Sequence, residues 1–199
     1  MKNINFRNNY LAIILARKGS KRLKNKNILK FGRQPLISKT IKNLKKIKHL
    51  FKDIVVSSDS KKIEKISKKE KVLFIKRPKY LSNSSATSEK STLHLIKIYQ
   101  KKYAKINYVI LCQPTSPLRR NVTIKKVINL SKNFPKKQIV GVDLKKKPNG
   151  VIYLSPVKML EKGASFSARG FIPFVIKSKK ESIDIDTKED FLNAKKYLK

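Results

Sequence analysis

The sequence predicts a three-layer α/β fold, a mainly parallel sheet with helices on both faces. Three observations carry that expectation. Short apolar runs alternate with longer stretches whose apolar residues recur at helical spacing. The first run, at 11–15, is apolar almost throughout, as in a strand buried on both faces. The most distinctive polar segments follow predicted strands, where open parallel sheets bind ligands.

In order, Leu11-Ala12-Ile13-Ile14-Leu15 is the first strand. Pro35 opens a helix whose apolar positions are Leu36, Ile37, Ile41, Leu44 and Ile47. Residues 53–57 form a second strand, Ile63 and Ile66 mark a short helix, and 72–75 a third strand. Leu93, Ile96, Tyr99 and Tyr103 define another helix face, and 108–111 a fourth strand. A helix around Ile124 to Leu130 and a strand at 139–142 follow. From 145 to 170 the pattern is less regular, with a strand at 151–154 and a short helix opening at Pro156. Residues 183–186 read as a last strand. Thr187 then caps a final helix, with Asp190 at its third position as a variant capping box. No internal repeat or long linker interrupts the chain, so 1–199 reads as one domain.

Composition narrows the class. An apolar share of 40% argues against disorder. No apolar run approaches the roughly 20 residues of a membrane span. The basic opening at 1–7 leads into an apolar stretch, Tyr10 to Ala16, too short for a signal-peptide core. A single cysteine, Cys112, excludes an internal disulfide and points to a reducing, cytoplasmic setting. Fifty Lys and Arg against 12 Asp and Glu give a net charge of +38. That excess attracts polyanions without specificity. The lysines are spread over every segment and are not interleaved with aromatics as on a stacking surface, so a specific nucleic-acid partner is not expected.

Two constellations carry chemistry. The loop Arg17-Lys18-Gly19-Ser20-Lys21-Arg22, with Lys26 and Asn27, follows the first strand. It is neither a Walker motif nor a dinucleotide fingerprint. It reads either as a phosphate grip or as a solvated basic turn. Asp184 and Asp186 are two residues apart in a β pattern, so both carboxylates face one way while Ile183 and Ile185 face the core. Such a pair suits a hard divalent cation shared with substrate phosphates. The competing reading gives Asp186 and Thr187 only the start of the last helix. Cys112, His49 and His94 read as structural.

The segments Leu15-Ala16-Arg17-x-Gly19-Ser20-Lys21, Lys26-Asn27 and Pro35-Leu36-Ile37 resemble the opening of the acylneuraminate cytidylyltransferases, the CMP-sialic acid synthetases. So do Ile54-Val55-Val56-Ser57-Ser58-Asp59 and Arg77-Pro78-x-x-Leu81 with Ala86. Gln113-Pro114-Thr115-Ser116-Pro117-Leu118-Arg119, Asn149-Gly150-x-Ile152-Tyr153 and Ile183-Asp184-Ile185-Asp186-Thr187-x-Glu189-Asp190 complete the series in family order. The resemblance implies a Rossmann-like nucleotide-diphospho-sugar transferase fold. It implies transfer of CMP from CTP to the anomeric hydroxyl of an acidic nine-carbon sugar, with release of pyrophosphate. Arg17 and Lys26 would be catalytic. Leu15, Ala16, Arg17, Gly19, Ser20, Asn27, Arg77 and Ser88 would bind the nucleotide, with backbone amides near Gly19 and Ser20 donating to phosphate. Gln113 would bind substrate, and Asp184 and Asp186 would hold Mg²⁺ or Mn²⁺.

The chain departs from the family pattern at three places. Lys18 stands where Gly is frequent, Ser84 where Asp is common, and only six residues separate Val142 from Asn149. The family carries a longer excursion there, which helps to form a homodimer and to reach the partner's sugar site. The short 143–170 region removes that support. A catalytically impaired nucleotide-binding relative and a sibling acting on pseudaminic or legionaminic acid are the alternative readings.

Overall fold

In the computed structural model, residues 9–20, 22–83 and 85–198 are described. The basic opening at 1–7, Lys21 and Ser84 lie outside them. The strands are β1 (Tyr10–Leu15), β2 (Lys30–Phe31), β3 (Gln34–Pro35), β4 (Ile54–Ser58), β5 (Leu73–Lys76), β6 (Tyr108–Leu111), β7 (Ile139–Val142), β8 (Pro148–Pro156) and β9 (Ile172–Val175). The helices are α1 (Leu36–Lys45), α2 (Lys61–Lys69), α3 (Ser88–Lys102), α4 (Asn121–Asn133), α5 (Val157–Glu161) and α6 (Lys188–Lys195).

Seven strands form one sheet in the order β5-β4-β1-β6-β8-β7-β9. β1 pairs in parallel with β4 and β6, β4 with β5, and β7 with β9. Only β8 runs against its neighbours β6 and β7. The expected mainly parallel sheet is therefore present. The chain steps outward from β1 through β4 to β5, then returns to the other side of β1 as β6. That reversal creates a switch point at the carboxyl ends of β1 and β6.

The alternation along β1 shows why both faces must be covered. Tyr10, Ala12, Ile14 and Ala16 pack with Ile37, Ile41 and Leu44 of α1 and with Ile124, Val127 and Ile128 of α4. Leu11 and Ile13 pack on the opposite face with Leu95, Ile96 and Tyr99 of α3 and with Val157 and Leu160 of α5. Each buried Leu, Ile or Val among them contributes about 1.5–3 kcal/mol. A third cluster, of Phe31, Leu36, Ile185 and Ala194, seats α6 against the β2–β3 hairpin.

Local chemistry sets the helix starts. Ser60 Oγ accepts from Ile63 N at 3.4 Å at the head of α2, and Thr87 Oγ1 from Lys90 N at 3.2 Å at the head of α3. The expected box at α6 is complete: Thr187 Oγ1 accepts from Asp190 N, and Asp190 Oδ2 from Thr187 N. The short passage after β7 is a tight turn. Asp143 Oδ1 accepts from Lys145 N at 2.8 Å and Lys147 N at 2.9 Å, feeding β8 directly beside β7.

The strand expected before the last helix is absent. Residues 183–186 belong to no strand or helix. Their described main-chain link to the sheet region is Ile185 N to Thr115 O, 2.8 Å, because their neighbour is a loop and not a strand. The predicted alternation survives: Ile185 is fully buried and Ile183 packs on the same cluster. Among the described residues no helix is long and apolar enough to cross a membrane.

Candidate active site

A cleft of about 510 Å³ opens at the switch point. Its walls come from the end of β1 (Leu15, Arg17), the following loop (Ser20, Arg22, Leu23, Lys26, Asn27), the loop after β6 (Gln113, Thr115), the start of α3 (Thr87, Ser88, Ser91), Arg77, Ala86 and Asp186. Nine of the expected residues thus converge: Leu15, Arg17, Ser20, Lys26, Asn27, Arg77, Ser88, Gln113 and Asp186.

The first loop is held in shape by its own polar groups. Lys18 N donates to Asp59 Oδ1 at 2.7 Å, and Asn27 Nδ2 to Arg17 O at 3.0 Å. Arg17 Nη1 donates to Asn83 O at 2.7 Å, tying the loop to the segment after β5. Lys26, which enters on a single helical turn, donates through Nζ to Asp186 Oδ1 at 2.8 Å. Arg22 binds the other oxygen of the same carboxylate. Two cations and one carboxylate therefore sit together in the lining of the cleft.

Four of the expected residues are turned away from the cleft or already engaged within the protein. Ala16 is fully buried and its N–H donates to Ser57 O at 3.0 Å, so neither its side chain nor its amide faces the cleft. Ser20 N donates to Lys18 O at 3.1 Å, so this amide is already used and is no phosphate donor in this conformation. Gly19 does not line the cleft; a Cβ there would meet nothing within 4 Å. Arg77 is buried and spends its guanidinium on Ser57, with Nε to Oγ at 3.2 Å and Nη2 to O at 2.8 Å. Burial, partly offset by Asp59 and reinforced by Arg17, pushes the Arg77 pKa down to about 10. Arg77 is first of all a brace for the end of β4.

The paired carboxylates are differently placed. Asp186 lines the cleft and Asp184 does not. Asp184 keeps an exposed flank, but its carboxylate is crowded: a Cβ on Gly150, whose φ is +74°, would lie 2.8 Å from Asp184 Oδ2. Only glycine suits that approach. Desolvation pushes the Asp184 carboxyl above its usual range, opposed by the Thr115 hydrogen bond and Lys26. The donor set, two carboxylates two residues apart with Asp186 on the cleft wall, is of the oxygen-only kind that suits a hard divalent cation. Among the described residues there is no group of three or more His, Cys, Asp or Glu that could hold a metal ion.

Several functional positions were not anticipated. Arg22 and Thr115 lie inside segments that the sequence singled out, but nothing local marks Arg22 as the partner of Asp186. Arg119 is buried. It binds Val151 O through Nε and donates through Nη2 to Gln113 O at 2.8 Å, fixing the loop that presents Gln113 and Thr115. Cys112 is fully buried in the core, as expected of a structural residue. His94 is part-buried; burial and then Arg77 push its pKa down, and it does not line the cleft.

Comparison with known proteins agrees with this geometry. The sequence model of the family described as Cytidylyltransferase matches residues 11–174. The CMP-N,N'-diacetyllegionaminic acid synthase of Legionella pneumophila is 28% identical over 225 aligned positions, covering 94% of this chain and 95% of that protein. That alignment is longer than the 199-residue chain, so the relative carries segments absent here. The N-acylneuraminate cytidylyltransferase of Escherichia coli is 33% identical over 147 positions, covering 73% of this chain; the matched part is 34% of that relative's length. A cytidylyltransferase structure from Leptospira borgpetersenii superposes with a TM-score of 0.70 at 20% identity, over 94% of this chain and 85% of that one. The family match begins in the first strand and ends in the last, and it takes in every cleft-lining residue except Asp186; the chain belongs to the cytidylyltransferase family.

Proposed function

We propose that this chain, as one domain over 1–199, transfers CMP from CTP to the anomeric hydroxyl of an acidic nonulosonic sugar of the sialic-acid kind. The carrying observation is the meeting of Lys26 and Arg22 with Asp186 in the cleft that Ser88 and Gln113 also line. In this reading the hydroxyl oxygen bonds to the α-phosphorus, the bond from that phosphorus to the β-phosphate oxygen breaks, and pyrophosphate leaves. The hydroxyl proton passes to solvent. Arg17 and Lys26 hold the triphosphate and offset the charge that grows on the departing pyrophosphate. Asn27 supports Arg17 through the latter's carbonyl, and Arg77 supports the same wall from beneath. Ser88 and Gln113 offer the polar contacts that orient the nucleoside and sugar. Asp184 and Asp186 would hold Mg²⁺ or Mn²⁺, which when bound draws charge off the phosphate oxygens. No protein nucleophile is needed.

Two other acceptors deserve the same assay. The Legionella alignment covers nearly all of both chains, which supports a legionaminic-acid sibling as well as a sialic-acid enzyme; pseudaminic acid is the third acceptor. The tight 143–147 turn, where the family resemblance implies a longer excursion, supports the impaired-relative reading. Pyrophosphate release from CTP and Mg²⁺ is measured with a panel of nonulosonic acids, for the wild type and Asp186→Asn. Release that depends on one sugar and falls by at least about a hundredfold in the variant establishes the activity. Absence of release with every sugar, alongside retained CTP binding, leaves a nucleotide-binding relative.

A further inference from the structure

The segment that presents Gln113 and Thr115 to the cleft continues, from Pro117 to Arg120, into the wall of a second cavity of about 530 Å³. The two cavities share no lining residue. Lys39 and Lys42 of α1 and Lys46, the residue that caps its C-terminus, enter it, spaced three and four residues apart. Arg120 enters from the head of α4 and Lys180 from the loop after β9. Facing these five cations is one carboxylate, Glu181, which is buried and already engaged. Its Oε1 accepts from Arg120 N at 3.0 Å and its Oε2 pairs with Arg120 Nε at 3.4 Å. Lys42 has a long contact of 3.9 Å to Glu70. Among the described residues Lys39, Lys46 and Lys180 are in no ion pair.

Dispersed surplus charge does not produce this arrangement. Lys39 Nζ is seated 5.3 Å from the Phe31 ring centre, and Lys180 Nζ 5.6 Å from that of Tyr197. Aromatic faces thus fix two ammonium groups that no carboxylate holds. Burial pushes the Lys39 pKa down, and repulsion from Lys180 and Lys46 adds to the effect. The fold therefore gathers like charges in a concavity and, among the described residues, leaves Lys39, Lys46 and Lys180 without a carboxylate partner. A ligand with several negative charges would relieve that repulsion, and phosphate oxygens suit ammonium donors on several sides.

We propose that this cavity is a second anion site, separate from the active-site cleft, that takes a small oligophosphate. The group could arrive as free inorganic oligophosphate or as the phosphates of a nucleotide. Its occupant would lie against Arg119, whose carbonyl accepts from Asn43 Nδ2 at 2.7 Å and whose guanidinium holds Gln113 O.

Calorimetric titration at an ionic strength of about 0.15 M suppresses diffuse attraction. Inorganic tripolyphosphate is titrated into the wild type, Arg17→Ala, Lys39→Gln/Lys180→Gln and the control pair Lys101→Gln/Lys102→Gln. The wild type should show two sites, and Arg17→Ala should retain one of them. The Lys39/Lys180 pair should weaken that retained site roughly tenfold, whereas the control pair, with the same loss of charge, should not. Lys180→Gln alone, on an exposed loop, gives the same direction without a demand on the fold. Competition by CTP in Arg17→Ala assigns the site to nucleotide phosphates; lack of competition assigns it to free oligophosphate. Loss of all tripolyphosphate binding in Arg17→Ala, or equal effects of the two double changes, overturns the proposal.

Discussion

Arg119 shows how one buried side chain can serve a site without entering it. Its guanidinium joins two carbonyls, Val151 O on β8 and Gln113 O in the loop after β6. Arg119→Ala leaves both buried acceptors without their charged donor and opens a void. The expected cost is about 2–4 kcal/mol, read from the urea midpoint, with a further loss of turnover because Gln113 is no longer fixed. A midpoint within error of wild type would remove the clamp from this account. Tyrosines give a second test at this scale. Tyr99 is pushed well above its ordinary value of 10.0, by burial first and then by its hydrogen bond to Asp53. Burial likewise raises Tyr10, Tyr108 and Tyr153. In each case the folded state holds its proton longer than the unfolded chain. The stabilising contribution is complete below pH 10 and is lost as pH rises through the folded values. Phenolate absorbance should therefore show four of the 7 tyrosines titrating late and together with unfolding. Seven reversible titrations near the ordinary value would contradict it.

The last helix ties an element to the site. α6 packs through Ala194 on Ile185 and Phe31, and its capping box begins one residue after Asp186. Thr187→Ala removes the acceptor for Asp190 N and should cost about 1 kcal/mol in a denaturant titration. CTP affinity should fall with it if the head of α6 positions Asp186; unchanged affinity would limit the cap to stability. The cap was legible in the sequence because it is a local pattern, as were β6 and β7, whose bounds the apolar runs marked. β9 was not, since Pro173 breaks its run and its edge position leaves alternate residues exposed. The two-residue strands β2 and β3 are too short to leave a pattern. Residues 183–186 read as a strand because facing depends on backbone extension alone, while a strand also needs a partner ladder. The same limit applies to the site. Arg17, Lys26, Gln113 and Asp186 could be named because each follows a strand or sits beside a local motif. The Arg22–Asp186 pair and the Arg119 clamp arise only when distant segments meet.

At the scale of the whole molecule, the net charge of +38 sets a condition that no single contact shows. The described residues form five ion pairs, most with at least one exposed partner, and exposed pairs contribute about 0–1 kcal/mol each. Their attraction is too small to offset the repulsion among some fifty cations held in one compact body. Unfolding spreads those cations apart, so repulsion favours the unfolded chain. Salt screens both effects, but the repulsive one is larger and acts at longer range. The screening length falls from about 30 Å at 0.01 M to less than 8 Å above 0.15 M, shorter than most separations between the lysines. Melting curves in sodium chloride between those limits and about 0.5 M should therefore shift upward by several degrees, most of the gain coming at the low-salt end. A fall in the midpoint with salt would mean that the few ion pairs outweigh the surplus. A flat response would mean that the lysines already lie far enough apart in water to be indifferent to one another, and the charge would then bear on partners without bearing on stability.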